Sequence, residues 1–448
     1  MNLGKKARMA IAVALVAVIV VAGSAVLLST AKTPSSDKLQ VVATFYPLYY
    51  FSSQIGGDLV EASMLIPDNA DPHSWEPTAS DMVKVDQAKV LVYNGAGFEP
   101  WISTVLGAAS TSDLTVVDTS TNVSLLMSDE VREVYDAAAA ALDAGANGTV
   151  SAAADASSAP VVNASGYLNV DLVPTADGHG GYLKVVSADG GDVRFFVTNP
   201  VDFTISSANG TEVSYEMSNG AVSSYPMFNG SKFVELEGGE EYTVHLISNS
   251  SANTGLVMVS GTEESEGTEE HHHGLNDPHF WLDPLNAEVQ VQNILTGFIK
   301  ADPQHAAEYR SNAANLTERL DKLNQDYANG LANRTKSAII TTHEGFNYLA
   351  ARYGFKAYGA TGISADSQPS VQDMANLVDQ VKALGLHYVY SEPIYSDAVM
   401  ETIASETGAQ VLVLDGVHGR SGVHANMDYF QIMYANLEAL KIGLEVTS

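Results

Sequence analysis

Strands alternate with helices in two separate stretches, a run of short strands without helices lies between them, and one long helical pattern follows residue 301. Together they predict an α/β protein: two Rossmann-like lobes bridged by one long helix, plus an inserted all-β sandwich domain and an N-terminal transmembrane helix. The expected divisions are 1–38 for a signal-anchor and linker, 39–127 for the first part of the first lobe, and 128–160 for a helix and linker. They continue with 161–261 for the sandwich, 262–274 for an acidic and histidine-rich loop, 275–300 for the rest of the first lobe, 301–334 for the bridging helix and 335–448 for the second lobe.

In order along the chain, Lys5, Lys6 and Arg8 precede an uncharged apolar run from Met9 to Leu28. About 20 residues at 1.5 Å each cross a hydrocarbon layer, so the run reads as an anchor with its basic side in the cytoplasm; the small residues near Ser29 also suit cleavage. Leu39 to Pro47 is a buried strand with its end, Leu48 to Ile55 a helix stopped by Gly56 and Gly57, and Val60 to Ile66 a strand that delivers the loop of His73. Thr78 to Gln87 is helical, Val90 to Tyr93 a strand, Trp101 to Leu106 a helix and Thr115 to Asp118 a strand, a rhythm that means a mainly parallel sheet. Ser128 to Leu142 is a short helix and Asp143 to Pro160 a linker of small and polar residues. From Tyr167 to Val259, seven alternating runs separated by Gly, Asn and Ser make the sandwich. Beyond Pro284, helical spacing runs to Lys300 and again, from Pro303, through Tyr309, Ala313, Leu316, Leu320 and Leu323 to Leu331. A second alternation then follows, from the strand Ser337 to Thr342 to a closing helix over Tyr429 to Gly443.

Composition narrows the function. A net charge of −31 over 448 residues leaves no basic surface for nucleic acid or anionic lipid, and the absence of cysteine removes disulfides, thiolate metal sites and a lipidated cysteine. Eight Asn-x-Ser/Thr triplets, Asn147 and Asn163 among them, suit a surface location and mark glycosylation candidates.

The chemistry gathers on histidines. Asp71-Pro-His-Ser-Trp-Glu-Pro and Asp277-Pro-His-Phe-Trp-Leu-Asp-Pro share an Asp-Pro-His core, and proline turns each into a loop that presents its imidazole in one direction. His343 directly follows one strand of the second lobe and Asp415 another, so both lie at the carboxyl edge of a sheet, as His73 does. Singly, His343 fits a helix cap and Asp415 a turn carboxylate. As a set, three imidazoles and a carboxylate suit Zn²⁺, tolerate Mn²⁺ and close a coordination shell. Glu392 stands after a strand where it can hydrogen-bond a ligand histidine or cap the next helix. His418 and His424, on a glycine-rich loop past Asp415, either help metal entry or, by default, are simply exposed, and His271, His272 and His273 with neighbouring glutamates form either a metal-collecting arm or a solvated spacer.

With Phe45-Tyr-Pro-Leu, Asn94-Gly-Ala-Gly-Phe-Glu-Pro-Trp, His343-Glu-Gly-Phe-Asn-Tyr-Leu, Glu392-Pro and Val411-Leu-Val-Leu-Asp, these segments make the chain resemble the cluster A-I substrate-binding proteins of zinc and manganese ABC importers. The resemblance covers residues 39 to about 125 and 275 to 448. It implies two lobes joined by a helix, no enzymatic activity, metal ligands at His73, His279, His343 and Asp415, and an ABC permease with its ATPase subunit as partner. A histidine at 343 favours zinc over manganese within that family. The basic flank and apolar run at the N-terminus place the protein outside the cytoplasm, anchored in the membrane by that helix in place of the lipidated cysteine frequent in the family, and a monomer is expected. The inserted sandwich departs from the family pattern. Two other readings remain open: a secreted zinc hydrolase, weakened because His343-Glu344 lacks a second histidine at Asn347, and a surface adhesin with a structural metal.

Overall fold

A computed structural model describes residues 38–109, 113–127, 129–188, 190–213, 216–219, 225–260, 276–362 and 369–447. The apolar run Met9 to Leu28 and the histidines at 271, 272 and 273 lie outside the described residues. Among the described residues no helix is long and apolar enough to cross a membrane.

The first sheet is parallel throughout, in the order β2-β1-β3-β4, with β1 (Leu39–Ala43), β2 (Val60–Met64), β3 (Val90–Tyr93) and β4 (Thr115–Asp118). β1 and β3 are its inner strands and read as runs of Val, Leu and Ala because helices cover both faces. α1 (Tyr46–Gly56) starts with Pro47 in its first turn; α2 (Ala79–Gln87) begins where Asp81 accepts the Thr78 N–H at 3.0 Å; α3 (Ile102–Ala108) follows the turn after β3. The loop from β2 to α2 carries His73 at the carboxyl edge.

α4 (Asp129–Ala144) then leads into two sheets. β12 (Glu216–Asn219), β13 (Gly230–Leu236), β10 (Gly191–Val197), β15 (Asn253–Ser260), β7 (Gly166–Asp171) and β5 (Gly148–Ser151) form one in that order. β11 (Asp202–Ser206), β14 (Glu241–Ser248), β9 (Gly178–Val186) and β6 (Val161–Asn163) form the other, with β8 (Val173–Thr175) on β9. Phe195, Phe203, Val244 and Leu246 fill the space between the sheets. The neighbouring Phe196 points to the opposite face and is also buried, because α4 lays Val134, Tyr135 and Ala138 over it. That helix explains why Val193 to Val197 is buried at every position instead of every second one. The stretch 143–160, expected to be linker, instead supplies β5, parallel to β7. Gly148-Thr-Val-Ser is too short for its period to show, and a free edge of β7 recruits it.

The chain returns beside its point of departure, Met127 pairing with Asn276. α5 (Pro284–Ala301) is capped by Asp283, whose Oδ1 accepts the Leu285 N–H at 3.0 Å. It crosses β4 closely at Gly297, where a Cβ would fall onto Val117. Gly297→Ala is therefore expected to lower the melting temperature: overpacking of about 1–3 kcal/mol exceeds the gain of about 1 kcal/mol in helix propensity, and a thermal melt checks it.

α6 (Ala306–Gly330) is a 25-residue helix, shorter than expected because Asp302 ends α5 in a non-helical conformation and residues 303–305 make a single 3₁₀ turn. At about 1.5 Å per residue it spans roughly 37 Å. Its buried stripe is Tyr309, Ala313, Leu316, Leu320, Leu323 and Tyr327. Asn312 donates to the Ile55 carbonyl of the first lobe at 3.0 Å, and at the other end Tyr327 donates to the carbonyl of Met433.

The last part pairs β16 (Ala338–His343) with β17 (Lys356–Thr361) and β18 (Tyr388–Ser391) with β19 (Gln410–Val413), all parallel, with β16 beside β18. α7 (Asn347–Tyr353), α8 (Val371–Leu384), α9 (Ala398–Thr407) and α10 (Tyr429–Gly443) complete it. α8 and α9 stop at Gly385 and Gly408, both left-handed, as the sequence pattern requires.

Candidate metal centre

Both Asp-Pro-His loops are built the same way. Asp71 Oδ1 accepts the His73 N–H at 3.0 Å and Asp277 Oδ1 accepts the His279 N–H at 2.8 Å, so each aspartate closes a turn two residues long around its proline. Asp277 Oδ1 also lies 2.9 Å from His279 Nδ1, which turns Nε2 inward. The loop is held from both lobes: Asn94 Nδ2 donates to the Pro278 carbonyl at 2.9 Å, and the Tyr348 hydroxyl donates to the Asp277 carbonyl at 2.8 Å while accepting from Leu126 N–H at 2.7 Å. His343 ends β16, and Glu392 Oε1, past the end of β18, lies 2.6 Å from its Nδ1 and takes its backbone N–H at 3.2 Å.

Three imidazoles consequently meet nitrogen to nitrogen. His279 Nε2 is 3.2 Å from His73 Nε2 and 3.1 Å from His343 Nε2. A fourth, His418, offers a nitrogen such that all four ligand atoms lie within 4.8 Å of one another. Nitrogens about 2.0–2.1 Å from a tetrahedral ion stand roughly 3.3–3.4 Å apart, close to these separations. Converging lone pairs repel unless a proton or a cation lies between them. The residues are 1%, 0%, 0% and 4% exposed, so water does not relieve that repulsion. Neither ring nitrogen of His418 has a hydrogen-bond partner among the described residues, a costly condition for a buried polar group that a metal would remove.

The surrounding charges fit a divalent cation. Asp277 and Glu392 are buried at 0% and 1% exposure, and neither has a lysine or arginine partner among the described residues. Burial pushes the Asp277 carboxyl up to about 7 against the pull of the His279 N–H, and burial likewise raises Glu392. Burial pulls His343 down, but the charge and hydrogen bond of Glu392 outweigh it and leave its pKa above the ordinary value. His418 is held well below its ordinary value, by burial first and then by His343 and His279. A +2 ion would balance both carboxylates and let each stay ionised behind its histidine.

Of the residues selected from sequence, the structure brings His73, His279 and His343 together, with Glu392 on the far nitrogen of His343. Beside these three it puts His418. Asp415 is not one of the four: its Oδ2 lies 2.8 Å from His424 Nδ1, and its Oδ1 accepts the Val417 N–H at 2.8 Å. Asn436 pins its backbone from both sides, at 2.8 and 2.7 Å. The expectation that His418 and His424 are exposed is corrected, since they are 4% and 6% exposed. The cause is the path of the loop: Gly419 packs against the main chain of Asp68, with no room for a Cβ, and Trp281 Nε1 holds the Gly416 carbonyl at 2.8 Å, so the turn folds inward. Asp277 also escaped the sequence reading, although an aspartate two residues before each loop histidine was a visible signal. Glu344 accepts from Asn347 Nδ2 at 2.7 Å.

The ZnuA family, described as zinc-uptake complex component A, periplasmic, matches residues 41–179 and 227–443. The unmatched segment between them carries most of β9, then β10, β11 and β12. The zinc-binding protein AdcA of Streptococcus pyogenes serotype M3 is 24% identical over 414 residues, which cover 92% of this chain and 57% of that protein. The chain thus spans little more than half the length of that relative. The high-affinity zinc uptake system protein ZnuA of Bacillus subtilis (strain 168) is 26% identical over 419 residues, 92% of this chain and 89% of that one. Among solved structures, the Zn(II)-bound ZnuA-like domain of Streptococcus pneumoniae AdcA shares the fold, with a TM-score of 0.53 and 21% identity over 91% of this chain and 99% of that one. With the family matched over most of its length and four imidazoles gathered at one point, the chain belongs to the ZnuA family of zinc-uptake components.

Proposed function

We propose that the chain is the extracytoplasmic solute-binding component of an ABC importer, which captures Zn²⁺ and delivers it to a membrane permease with its ATPase. The observation that carries this reading is the buried convergence on His279 Nε2 of His73 Nε2 at 3.2 Å and His343 Nε2 at 3.1 Å. We read His418 as the fourth donor in this arrangement, with Asp415 one short loop segment away. An all-imidazole shell prefers Zn²⁺ to the harder Mn²⁺. Four protein donors leave no open position for a reactive water, which suits carriage and not hydrolysis. In the same reading, the two lobes hold the ion between them, the run Met9 to Leu28 tethers the protein to the membrane, and the segment 262–274 collects metal beside the site.

Zinc titration of the full chain tests this. One tightly held ion per chain is expected at pH 7.5, apart from any weaker uptake by the segment 262–274. A protonated imidazole has no lone pair to donate, and Glu392 raises the pKa of His343. Zinc must therefore displace a proton there, and affinity should start to fall above the ordinary histidine value of about 6.5 as the pH is lowered. Between pH 7.5 and 5.5 the loss should reach at least about tenfold. Equal affinities at the two pH values would rule out imidazole ligation.

A further inference from the structure

Four imidazoles no more than 4% exposed can receive an ion only if something above them moves. Two loops cover the site from opposite lobes, one carrying His73 and the other His418, and they meet at Asp68 and Arg420. The Arg420 backbone N–H donates to Asp68 Oδ1 at 3.0 Å, its Nη2 donates to Oδ2 at 2.9 Å, and its Nε lies 3.4 Å from Oδ1. The guanidinium also sits 5.2 Å from the centre of the Tyr46 ring. Beside it, Gly419 lies against the main chain of Asp68, so the two loops touch backbone to backbone as well as through charge.

The inner end of the second loop is tied differently. Trp281 holds the Gly416 carbonyl and Asp415 holds the Val417 N–H, each at 2.8 Å, and both contacts are buried. Val417 has φ +55, a conformation that a β-branched residue keeps only where its surroundings enforce it. The outer tie is the one open to water: the side chains of Arg420 and Asp68 are 40% and 26% exposed. A loop with a strained, fixed root and a half-solvated tip opens at the tip.

We propose that Asp68 and Arg420 form the latch of the metal gate. Arg420 is a positioning residue that seats His418, and parting of the pair is the step that admits and releases the ion. This rests on the zinc-capture reading and deepens it. With the latch open, His418 leaves with its loop, and an ion keeps three imidazoles and gains an open coordination position from which a partner can take it.

The test uses the full chain with Arg420→Ala, Asp68→Asn and the exchanged pair Asp68→Arg with Arg420→Asp. Zinc stoichiometry is measured at saturation, and zinc release into excess chelator is followed by stopped flow at two salt concentrations. The single variants are expected to load one ion yet release it about tenfold faster. The exchanged pair should return to within about threefold of the wild-type rate. Added salt should speed release from the wild type and leave Arg420→Ala unchanged, since a partly exposed pair is screened. If Arg420→Ala does not fold, Arg420→Lys keeps the charge but loses the paired N–H geometry and provides the same rate measurement. Loaded single variants that release zinc at the wild-type rate would overturn the latch while leaving zinc capture intact. A wild-type chain that binds no zinc would remove zinc capture and the gate together.

Discussion

Replacing His279 with alanine is expected to weaken zinc binding by at least about two orders of magnitude. Structural zinc sites with four ligands are worth about 10–16 kcal/mol, roughly 2.5–4 kcal/mol per ligand. His279 is the most exposed to such a loss because its Nε2 is the nitrogen that meets both His73 and His343, at 3.2 and 3.1 Å. Its removal also takes away the imidazole that Asp277 faces, leaving a carboxyl at 0% exposure with one partner fewer. Competition with a chromophoric chelator measures the affinity. A thermal melt with and without zinc checks it independently, because an ion that binds only the folded chain raises the melting temperature in proportion to the logarithm of its concentration over Kd. The variant should melt cooperatively without zinc, and at a given zinc concentration its zinc-dependent shift should be smaller than that of the wild type. Retention of near wild-type affinity would mean that the three nitrogens do not share an ion.

The second large effect separates His418 from Asp415. His418→Ala is expected to cost about two orders of magnitude in zinc affinity, whereas Asp415→Asn should cost less than about tenfold. The reason lies in what each group already does: the Asp415 carboxylate is occupied by His424 and the Val417 N–H at 2.8 Å each, while both ring nitrogens of His418 lack hydrogen-bond partners among the described residues. Asparagine keeps an oxygen for the Val417 N–H. Titration with Co²⁺, whose visible absorption reports tetrahedral geometry, should show the band weakened in His418→Ala and retained in Asp415→Asn. The opposite outcome would place the carboxylate in the coordination shell when the ion is bound.

Much of this molecule was legible in its residues, and the unread parts have specific causes. β1, β3 and β16 announce themselves as short apolar runs because each is buried on both faces. The stripe of α6 keeps its 3-to-4 spacing because a long helix lies across both lobes. β5 was hidden since four residues carry too little pattern to distinguish an edge strand from a linker. The near-continuous burial of β10 needed α4 on its outer face, a partner that its own sequence does not name.

The site divides along the same line. The sequence by itself determined how three of the histidines are presented, since each is placed by its immediate neighbours: an aspartate and a proline bend the chain at His73 and His279, and a strand ends at His343. Local bonding of that kind is written in adjacent residues. Only the tertiary structure decided which residue of the later loop joins them, by bringing a nitrogen of His418 within 4.8 Å of the other three. Asp415 and His418 share one short loop and are both buried, and which of them faces the other three histidines depends on Trp281 at its root and on Asp68, 352 positions before Arg420, at its tip. No spacing rule reaches that far, because the choice is made by packing between loops that meet only after both lobes have formed.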